Sequence, residues 1–174
     1  MTIRKILTEP NPFLRQKSIK VDVVNDEVRS LMDDMLETMY HAPGIGLAAI
    51  QIGVPKRVIV IDLSRDDEKK NPFYFVNPEL ITNSDNKAAY EEGCLSVPGQ
   101  FAEISRPDKC KVKYLDYSGK EQILDAKDLL ATCIQHEMDH LEGILFIDYL
   151  SKLKKSMIVK KLSKQKKTLE RIVV

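Results

Sequence analysis

The stretch His136-Glu137-Met138-Asp139-His140 places two imidazoles and a carboxylate at a spacing that suits metal chemistry. Side chains four residues apart lie on the same face of a helix, so His136 and His140 could bind one metal ion together. The glutamate next to the first histidine could then act as a general base toward a metal-activated water molecule. Several classes of metallohydrolase carry this motif, and the motif alone does not identify the third ligand.

The helix that carries this motif is predicted between Asp125, as its cap, and Gly143, where it ends. Its inward face is expected to carry two stripes, Leu129-Cys133-His136-His140 and Leu130-Ile134-Glu137-Leu141. A polar stripe of Asp128, Thr132, Gln135 and Asp139 is expected to face water. Glu137 is therefore predicted on an apolar face, where burial raises its proton affinity unless a cation neutralises it.

A third metal ligand is not available downstream of the motif. Phe146 stands where a longer zinc-protease pattern has a histidine. Glu142 lies too close along the same helix to complete the site, and Glu170 lies in a lysine-rich tail. The sequence therefore directs the search upstream of the second histidine.

Three upstream residues remain possible as that ligand. Cys94 lies in Glu-Gly-Cys-Leu-Ser-Val-Pro-Gly, where a strand gives way to turns that can present a sulfur atom. Cys133 lies on the motif helix itself, and His41 lies at the end of another predicted helix. A thiolate is available because three cysteines without an export signal predict reduced thiols, and Cys110 is expected to be a small core residue.

The segment from Gly44 to Gln51 is glycine-rich and formally matches a dinucleotide-binding fingerprint. That fingerprint must follow a strand and open a helix, whereas this segment follows a predicted helix, so no nucleotide cofactor is expected. Glycines at this spacing also allow a peptide backbone to approach closely, and the Gln51 amide could donate to a developing oxyanion.

The composition predicts one domain spanning residues 1–174. The chain is 43% hydrophobic and 30% charged, which suits a globular protein with its own core. No apolar run approaches the roughly 20 residues that span a bilayer, and the start lacks a signal-peptide core. We therefore expect a cytoplasmic protein without a membrane partner.

The charges are unevenly distributed along the chain. Residues 152–174 hold nine of the 27 lysines and arginines but only Glu170 among the 26 acidic residues. The tail therefore carries about +8 and the rest about −7. A basic C-terminal helix over 152–174 would suit an anionic partner such as RNA.

The order of predicted elements favours an α+β fold of short, mostly antiparallel strands around the central metal-binding helix. Residues 26–41 are predicted as an amphipathic N-terminal helix and Val58–Ile61 as a buried strand. Further strands are expected at 73–76, 79–81, 88–92, 103–105, 109–117 and 121–124, and a last helix from about residue 151. This order does not fit a βαβ repeat.

Three motifs in this chain together resemble those of peptide deformylases of the class I bacterial type. They are Gly-Ile-Gly-Leu-Ala-Ala-Ile-Gln at 44–51, Glu-Gly-Cys-Leu-Ser at 92–96 and Gln-His-Glu-Met-Asp-His at 135–140. The resemblance covers nearly the whole chain, and no signature position departs from the family pattern. The motifs in combination are far more specific than the histidine motif alone.

The resemblance implies a role for each candidate site residue. The metal ligands would be Cys94, His136 and His140, and Glu137 would act as general base and acid. Gln51 and the Leu95 backbone N–H would bind the oxyanion. The remaining contacts to substrate would come from Ile45, Gly46, Gly93, Leu129 and Cys133, the last two in a methionine pocket.

The resemblance also implies an activity and partners. The substrate would be the N-terminus of a formyl-methionyl nascent chain, hydrolysed to release formate. The metal would be Fe²⁺, with Zn²⁺, Ni²⁺ or Co²⁺ able to replace it. The basic tail would contact the ribosome near the exit of its tunnel. Two alternatives remain from the residues alone, namely a metallopeptidase of another class and a non-catalytic RNA-associated protein.

Overall fold

A five-stranded sheet, a two-stranded hairpin and three helices form the fold in a computed structural model that describes residues 2–64 and 68–172. In the last helix, side chains are described as far as residue 168. The helices are α1 (Asp26–His41), α2 (Asp128–Leu141) and α3 (Lys152–Ile172). The strands are β1 (Gly46–Ala48), β2 (Val58–Ile61), β3 (Phe73–Asn83), β4 (Lys87–Cys94), β5 (Val97–Pro107), β6 (Lys109–Leu115) and β7 (Glu121–Lys127). Short 3-10 turns occur at Pro12–Arg15, Ala49–Ile52 and Phe146–Tyr149.

The larger sheet has the strand order β1-β2-β3-β6-β7, and β4 pairs with β5 in the separate hairpin. Each of these named strand pairs is antiparallel. The predicted α+β class with antiparallel strands is therefore confirmed. The hairpin matters for the site because it brings Cys94, at the end of β4, toward the face of α2.

Helix α1 spans the predicted residues 26–41. It begins where the Asn25 side chain accepts a hydrogen bond from the Val28 N–H at 3.0 Å. Its methionines pack into the core, and Met32, Met35 and Met39 are fully buried. These methionines are core residues, as the spacing predicted.

The sheet lies between α1 and α2, and the side chains of β2 pack against both helices. All four residues of β2 are buried, as predicted. Val58 and Val60 pack into the apolar cluster that includes α1, whereas Ile59 and Ile61 pack into the cluster that includes α2. Because successive side chains of a strand point to opposite faces, one strand supports both helices. The motif helix is thereby held against a rigid sheet.

Two strands that were predicted separately are one continuous strand in the structure. The expected strands at 73–76 and 79–81 form a single strand, β3, which continues to Asn83. Its pairing with β6 shifts register between Val76 and Glu79, and Asn77 in between has a positive φ of 51°. This local irregularity gives the segment the sequence pattern of two short strands. The other predicted strands are present with longer or shifted ends.

Helix α2 begins at Asp128, two residues later than a cap at Asp125 predicts. Asp125 lies in β7 opposite Lys111, so its predicted role as the helix cap is wrong. The capping position is Lys127, whose side chain forms no capping hydrogen bond. Thr132 was expected to face water but is buried at 3% exposure, because it lies in the wall of a cavity. The helix ends at Leu141, shortly before Gly143 as expected.

Helix α3 packs on the hairpin through a third apolar cluster. Leu162 is buried there with Val97 and Ile104 of β5 and with Phe146 of the preceding turn. The basic helix predicted over 152–174 is observed as Lys152–Ile172, and residues 173 and 174 lie outside the described residues. In the described part of the chain, no helix has both the length and the apolar character needed to cross a membrane.

Candidate metal centre and active site

A cavity of about 460 Å³ lies between α2, the β4–β5 hairpin and the segment around β1. Its walls contain every site residue predicted from sequence except His140, which is 1% exposed and lies behind the wall. The cavity is also lined by residues that the sequence did not suggest, among them Tyr90, Glu91, Glu92, Phe101 and Thr132. These walls come from segments far apart in the chain.

Cys94, His136 and His140 form a group whose potential ligand atoms all lie within 4.8 Å of one another. The Sγ atom of Cys94 lies 3.3 Å from Nε2 of His140. Ligand atoms around one tetrahedral divalent ion, at thiolate and imidazole bond lengths, are separated by about 3.4 to 3.6 Å. The three side chains therefore lie close enough together to bind one metal ion.

The elements that present these ligands explain the arrangement. The two histidines lie one helical turn apart on the buried face of α2. Cys94 ends β4, and the register of the hairpin shifts between Gly93 and Cys94. The Cys94 sulfur accepts hydrogen bonds from the Ser96 N–H at 3.4 Å and from the Gln51 amide at 3.6 Å. These two contacts fix the position of the sulfur atom at the end of β4.

The two rival ligands lie outside this group. Cys133 is in the wall of the same cavity, but burial raises the pKa of its thiol to about 12, which disfavours a thiolate. His41 is exposed at the end of α1. Cys110 is 3% exposed in the core behind α2, as expected for a packing residue. Among the described residues, the potential metal-binding group comprises Cys94 and the two motif histidines.

A network of buried charges, which no sequence motif indicates, supports His136 from behind. Glu92 Oε2 lies 2.8 Å from Nδ1 of His136, which leaves Nε2 available to a metal ion. Arg106 donates to both oxygens of Glu92, at 2.6 and 3.0 Å, and to Asp139 at 2.8 Å. Arg106 thus links the strand that carries Cys94 to the helix that carries the histidines. Glu92 could have been suspected because it precedes Cys94 by two residues and so shares its face of the strand.

The electrostatics of the two histidines differ. Burial would lower the pKa of His136, yet hydrogen bonds to Cys94 and Glu92 raise it above its usual value. Burial and the neighbouring His136 lower the pKa of His140 well below its usual value. The surroundings of His136, between Glu92 and Cys94, therefore favour a positive charge, as a metal cation would supply. The His140 imidazole is favoured in its neutral form, which is the form that binds a metal ion.

Glu137 lies 5% exposed in the cavity, and burial raises the pKa of its carboxyl to about 7. Its Oε2 atom is buried and has no hydrogen-bond partner among the described residues. A carboxyl group with such a pKa can accept and return a proton near neutral pH. Gly46 leaves room for it, since a Cβ at this position would lie 2.9 Å from Cδ of Glu137. The predicted acid on an apolar face is therefore present.

Gln51 and Leu95 lie beside the sulfur atom of Cys94. Gln51 follows β1 in the short turn at Ala49–Ile52, and its Oε1 atom accepts the Ala48 N–H at 2.8 Å. Its amide nitrogen is thereby directed to Cys94 and to Ser96 Oγ, the latter at 3.0 Å. Leu95 lies in the tight turn between β4 and β5. The segment at 44–51 is thus a strand and a short turn that face the metal group, without the strand-to-helix transition of a dinucleotide site.

The predicted substrate contacts lie on opposite sides of the cavity. Ile45 and Gly46 belong to the segment at β1, Gly93 to β4, and Leu129 and Cys133 to α2. Cys133 is buried, whereas Ile45 and Leu129 are 46% and 40% exposed at the rim. A chain entering between β1 and β4 would therefore meet an apolar wall at α2.

Comparison with known proteins gives a consistent result. The sequence profile of the polypeptide deformylase family matches residues 3–156. A protein described as a peptide deformylase from Pelagibacter ubique is 70% identical over 174 residues, which cover the whole of both chains. The chain is thus similar to a curated relative over its full length.

Two solved structures are similar in fold. The crystal structure of a peptide deformylase from Ehrlichia chaffeensis matches with a TM-score of 0.91 and 41% identity, covering 96% of this chain and 98% of that one. A structure of peptide deformylase from the same organism in complex with actinonin also gives a TM-score of 0.91, with 43% identity and coverage of 95% and 98%. Both matches therefore extend over at least 95% of this chain.

Proposed function

The chain belongs to the polypeptide deformylase family, and we propose that Cys94, His136, His140 and Glu137 form the centre with which it hydrolyses formyl groups. As a member of this family it is a hydrolase that removes the N-terminal formyl group from polypeptides. The observation that carries the proposed centre is the convergence of one sulfur and two imidazoles beside a buried carboxyl group. Membership of this family excludes the two alternative functions, a metallopeptidase of another class and a non-catalytic RNA-associated protein.

Metal dependence is a property of the family, and the three side chains fit one divalent ion. When bound there, the ion supplies Lewis-acid activation of a water molecule and of the formyl carbonyl group. Our proposal is that Fe²⁺ is the native ion and that Zn²⁺, Ni²⁺ or Co²⁺ can replace it. A thiolate with two imidazoles supports this proposal, because such a set binds several divalent ions.

The protein residues would carry the proton and the charge. Glu137 would take a proton from the attacking water, aided by a pKa near 7, and deliver it to the leaving amine nitrogen as the C–N bond breaks. The Gln51 amide and the Leu95 N–H would donate to the oxyanion of the tetrahedral intermediate. The Gln51 amide is held by hydrogen bonds to Ala48 and Ser96, so little reorganisation is needed.

The substrate is a formyl-methionyl peptide. Our proposal is that its backbone lies between Ile45-Gly46 and Gly93, and that its methionine side chain packs on Leu129 and Cys133. Support comes from the two glycine-containing segments that face each other across the cavity. The formyl carbon carries only hydrogen as its further substituent, so a narrow site can accept it while excluding internal peptide bonds.

Three further proposals concern the whole chain. Residues 1–174 would act as one catalytic domain, which the shared apolar clusters of helices, sheet and hairpin support. The exposed lysines of α3 support ribosome contact by this helix, since they present positive charge to solvent. A cytoplasmic location would follow from action on nascent chains.

Formate release from formyl-Met-Ala-Ser by protein purified without oxygen, paired with metal analysis, tests the proposed function. We expect formate in proportion to bound metal, Fe²⁺ as the native ion, and no cleavage of the unformylated peptide. Absence of formate from fully metal-loaded protein would contradict the activity. A metal other than iron in active native protein would contradict only the assignment of the ion.

A further inference from the structure

Phe101 is a large apolar residue at the rim of the cavity that the proposed mechanism does not use. Its side chain is 65% exposed, although it lines the cavity with Gly93. The ring lies on the backbone of Gly93, where a Cβ would come within 2.6 Å of a ring carbon. An exposed aromatic ring contributes little to the hydrophobic stability of the fold, so its placement calls for another explanation.

Two carboxylates lie next to this ring. Glu91 and Glu103 are opposite each other in β4 and β5, one step along the same face from the pair of Gly93 and Phe101. Both side chains are exposed, and within the described ranges neither forms an ion pair. Like charges directly opposite each other destabilise a hairpin, so stability does not explain this pair either.

Apart from His136, which is paired with Glu92, the ionisable groups of the cavity wall with a full charge to offer are carboxyl groups. Among the described residues that line the cavity, the ionisable carboxyl groups are Glu91, Glu92 and Glu137, and there is no lysine or arginine. Arg106 neutralises Glu92 from behind, so the free charge at the rim comes from the hairpin. An aromatic face next to uncompensated carboxylates attracts an ammonium or guanidinium group.

We propose that Phe101 is a specificity-determining residue that, with Glu91 and Glu103, favours substrates with a lysine or arginine downstream of the formyl-methionine. This inference rests on the proposed function, because it concerns the same cavity. The methionine would occupy the inner wall at α2, so the following residues leave across the hairpin rim. A basic side chain there can lie on the Phe101 ring while its charge remains near the two carboxylates.

The test compares kcat/KM for formyl-Met tetrapeptides that carry Lys, Gln or Glu at the second, third or fourth position. At low salt we expect Lys to exceed Gln by about three-fold or more at one position, with Glu below Gln. The ratio should fall toward one in Phe101→Leu, which keeps apolar area but removes the ring, and in the Glu91→Gln/Glu103→Gln double variant. Added salt should also reduce it.

Glu121→Gln is the matched control, because it removes one carboxylate from β7 and not from the hairpin. It should keep the Lys-over-Gln ratio of the unaltered protein. Equal kcat/KM values for the Lys, Gln and Glu peptides at every position, with formate released from all of them, would overturn this inference and leave the proposed function intact. A Lys preference unchanged in Phe101→Leu would overturn the role of Phe101. Failure to release formate from any peptide would overturn the proposed function and this inference with it.

Discussion

The carboxyl group of Glu137 lies against the backbone of Gly46, on the opposite wall of the cavity, with no space for a methyl group between them. The glycine belongs to the motif at 44–51 and the glutamate to the motif at 135–140, so this contact joins two motifs that are distant in sequence. The sequence assigned Gly46 to substrate alignment. The contact gives the same glycine a second role, which is to leave room for the proposed base.

Gly46→Ala should therefore displace Glu137 and lower kcat while leaving the metal bound. The added Cβ would come within 2.9 Å of Cδ of Glu137, so one of the two must move. Formate release and metal content of the same sample measure the two effects. In the background of Glu137→Gln, the glycine substitution should reduce kcat by much less, since the group it displaces no longer acts. Full additivity of the two losses would contradict the contact as the cause.

Glu137→Gln should lose about 10²- to 10⁴-fold in kcat, because an amide cannot accept and return the proton. The metal ligands are unchanged, so metal content should remain near that of the unaltered protein. Single-turnover formate release at saturating substrate measures the chemical step. Turnover near normal would show that another group acts as the base.

Cys94→Ser should lose metal, whereas Cys133→Ser should keep it. Both cysteines line the cavity, but Cys94 lies 3.3 Å from His140 Nε2 and belongs to the candidate metal group. Metal analysis after gel filtration, together with absorption bands of the Co²⁺-loaded proteins, distinguishes the two variants. A thiolate-to-cobalt band that persists in Cys94→Ser and disappears in Cys133→Ser would reverse the assignment.

Glu92→Gln should weaken metal binding by about 10- to 100-fold, because it removes the carboxylate that orients His136. The neighbouring Glu91→Gln is the control, since Glu91 is exposed and does not contact a ligand. Competition with a chelator of known affinity gives the metal affinity of each. Thermal unfolding of the metal-free proteins measures how much stability is lost with the buried Glu92–Arg106 ion pair, so that this loss can be distinguished from the change in metal affinity. Equal chelator competition curves for the two variants would argue against a supporting role for Glu92.

If α3 binds the ribosome, neutralising its exposed lysines should lower the affinity for ribosomes, and this loss should depend on salt concentration. The triple variant Lys160→Gln, Lys161→Gln and Lys164→Gln changes side chains that are exposed, while Leu162 keeps the helix packed. Affinity for ribosomes should fall, and its dependence on salt should become weaker. The control neutralises Lys109, Lys111 and Lys127 on the sheet. Equal effects of the two triple variants would indicate nonspecific attraction instead of docking by α3.

The parts of this fold that sequence predicts well are those determined locally. Helix α1 could be delimited because its apolar face lies within residues 26–41 and the residues that bound it, Asn25 and Pro43, are next to that segment in the chain. The start of α2 was misplaced because β7 extends to Lys127 by pairing with β6, and that pairing depends on residues elsewhere in the chain. Thr132 was assigned to water for a similar reason, since helical spacing alone does not show that a cavity lies beside it.

In the candidate site, too, features determined locally can be predicted from sequence, whereas those that depend on distant residues cannot. The histidine motif predicts two ligands and a carboxyl group from their spacing on one helix, whereas Cys94 is selected only by the resemblance to a family. Arg106 gave no sequence signal, because its partners Glu92 and Asp139 lie 14 and 33 residues away. Phe101 was not assigned to the site because residue 101 lies outside the strand expected at 103–105, and only the pairing of β5 with β4 places its ring against Gly93 at the rim.

The separation between Cys94 and His140 also sets the order in which a newly made chain can mature. The two residues are 46 positions apart, and α2 follows the hairpin in the chain. During synthesis the thiol therefore leaves the ribosome well before the imidazoles that complete the proposed centre. Metal loading of the proposed centre must wait until His140, about four-fifths of the way along the chain, has emerged, and until then the Cys94 thiol lacks its two imidazole partners. Oxidation of this thiol would therefore compete with metal loading for as long as the chain is unfinished.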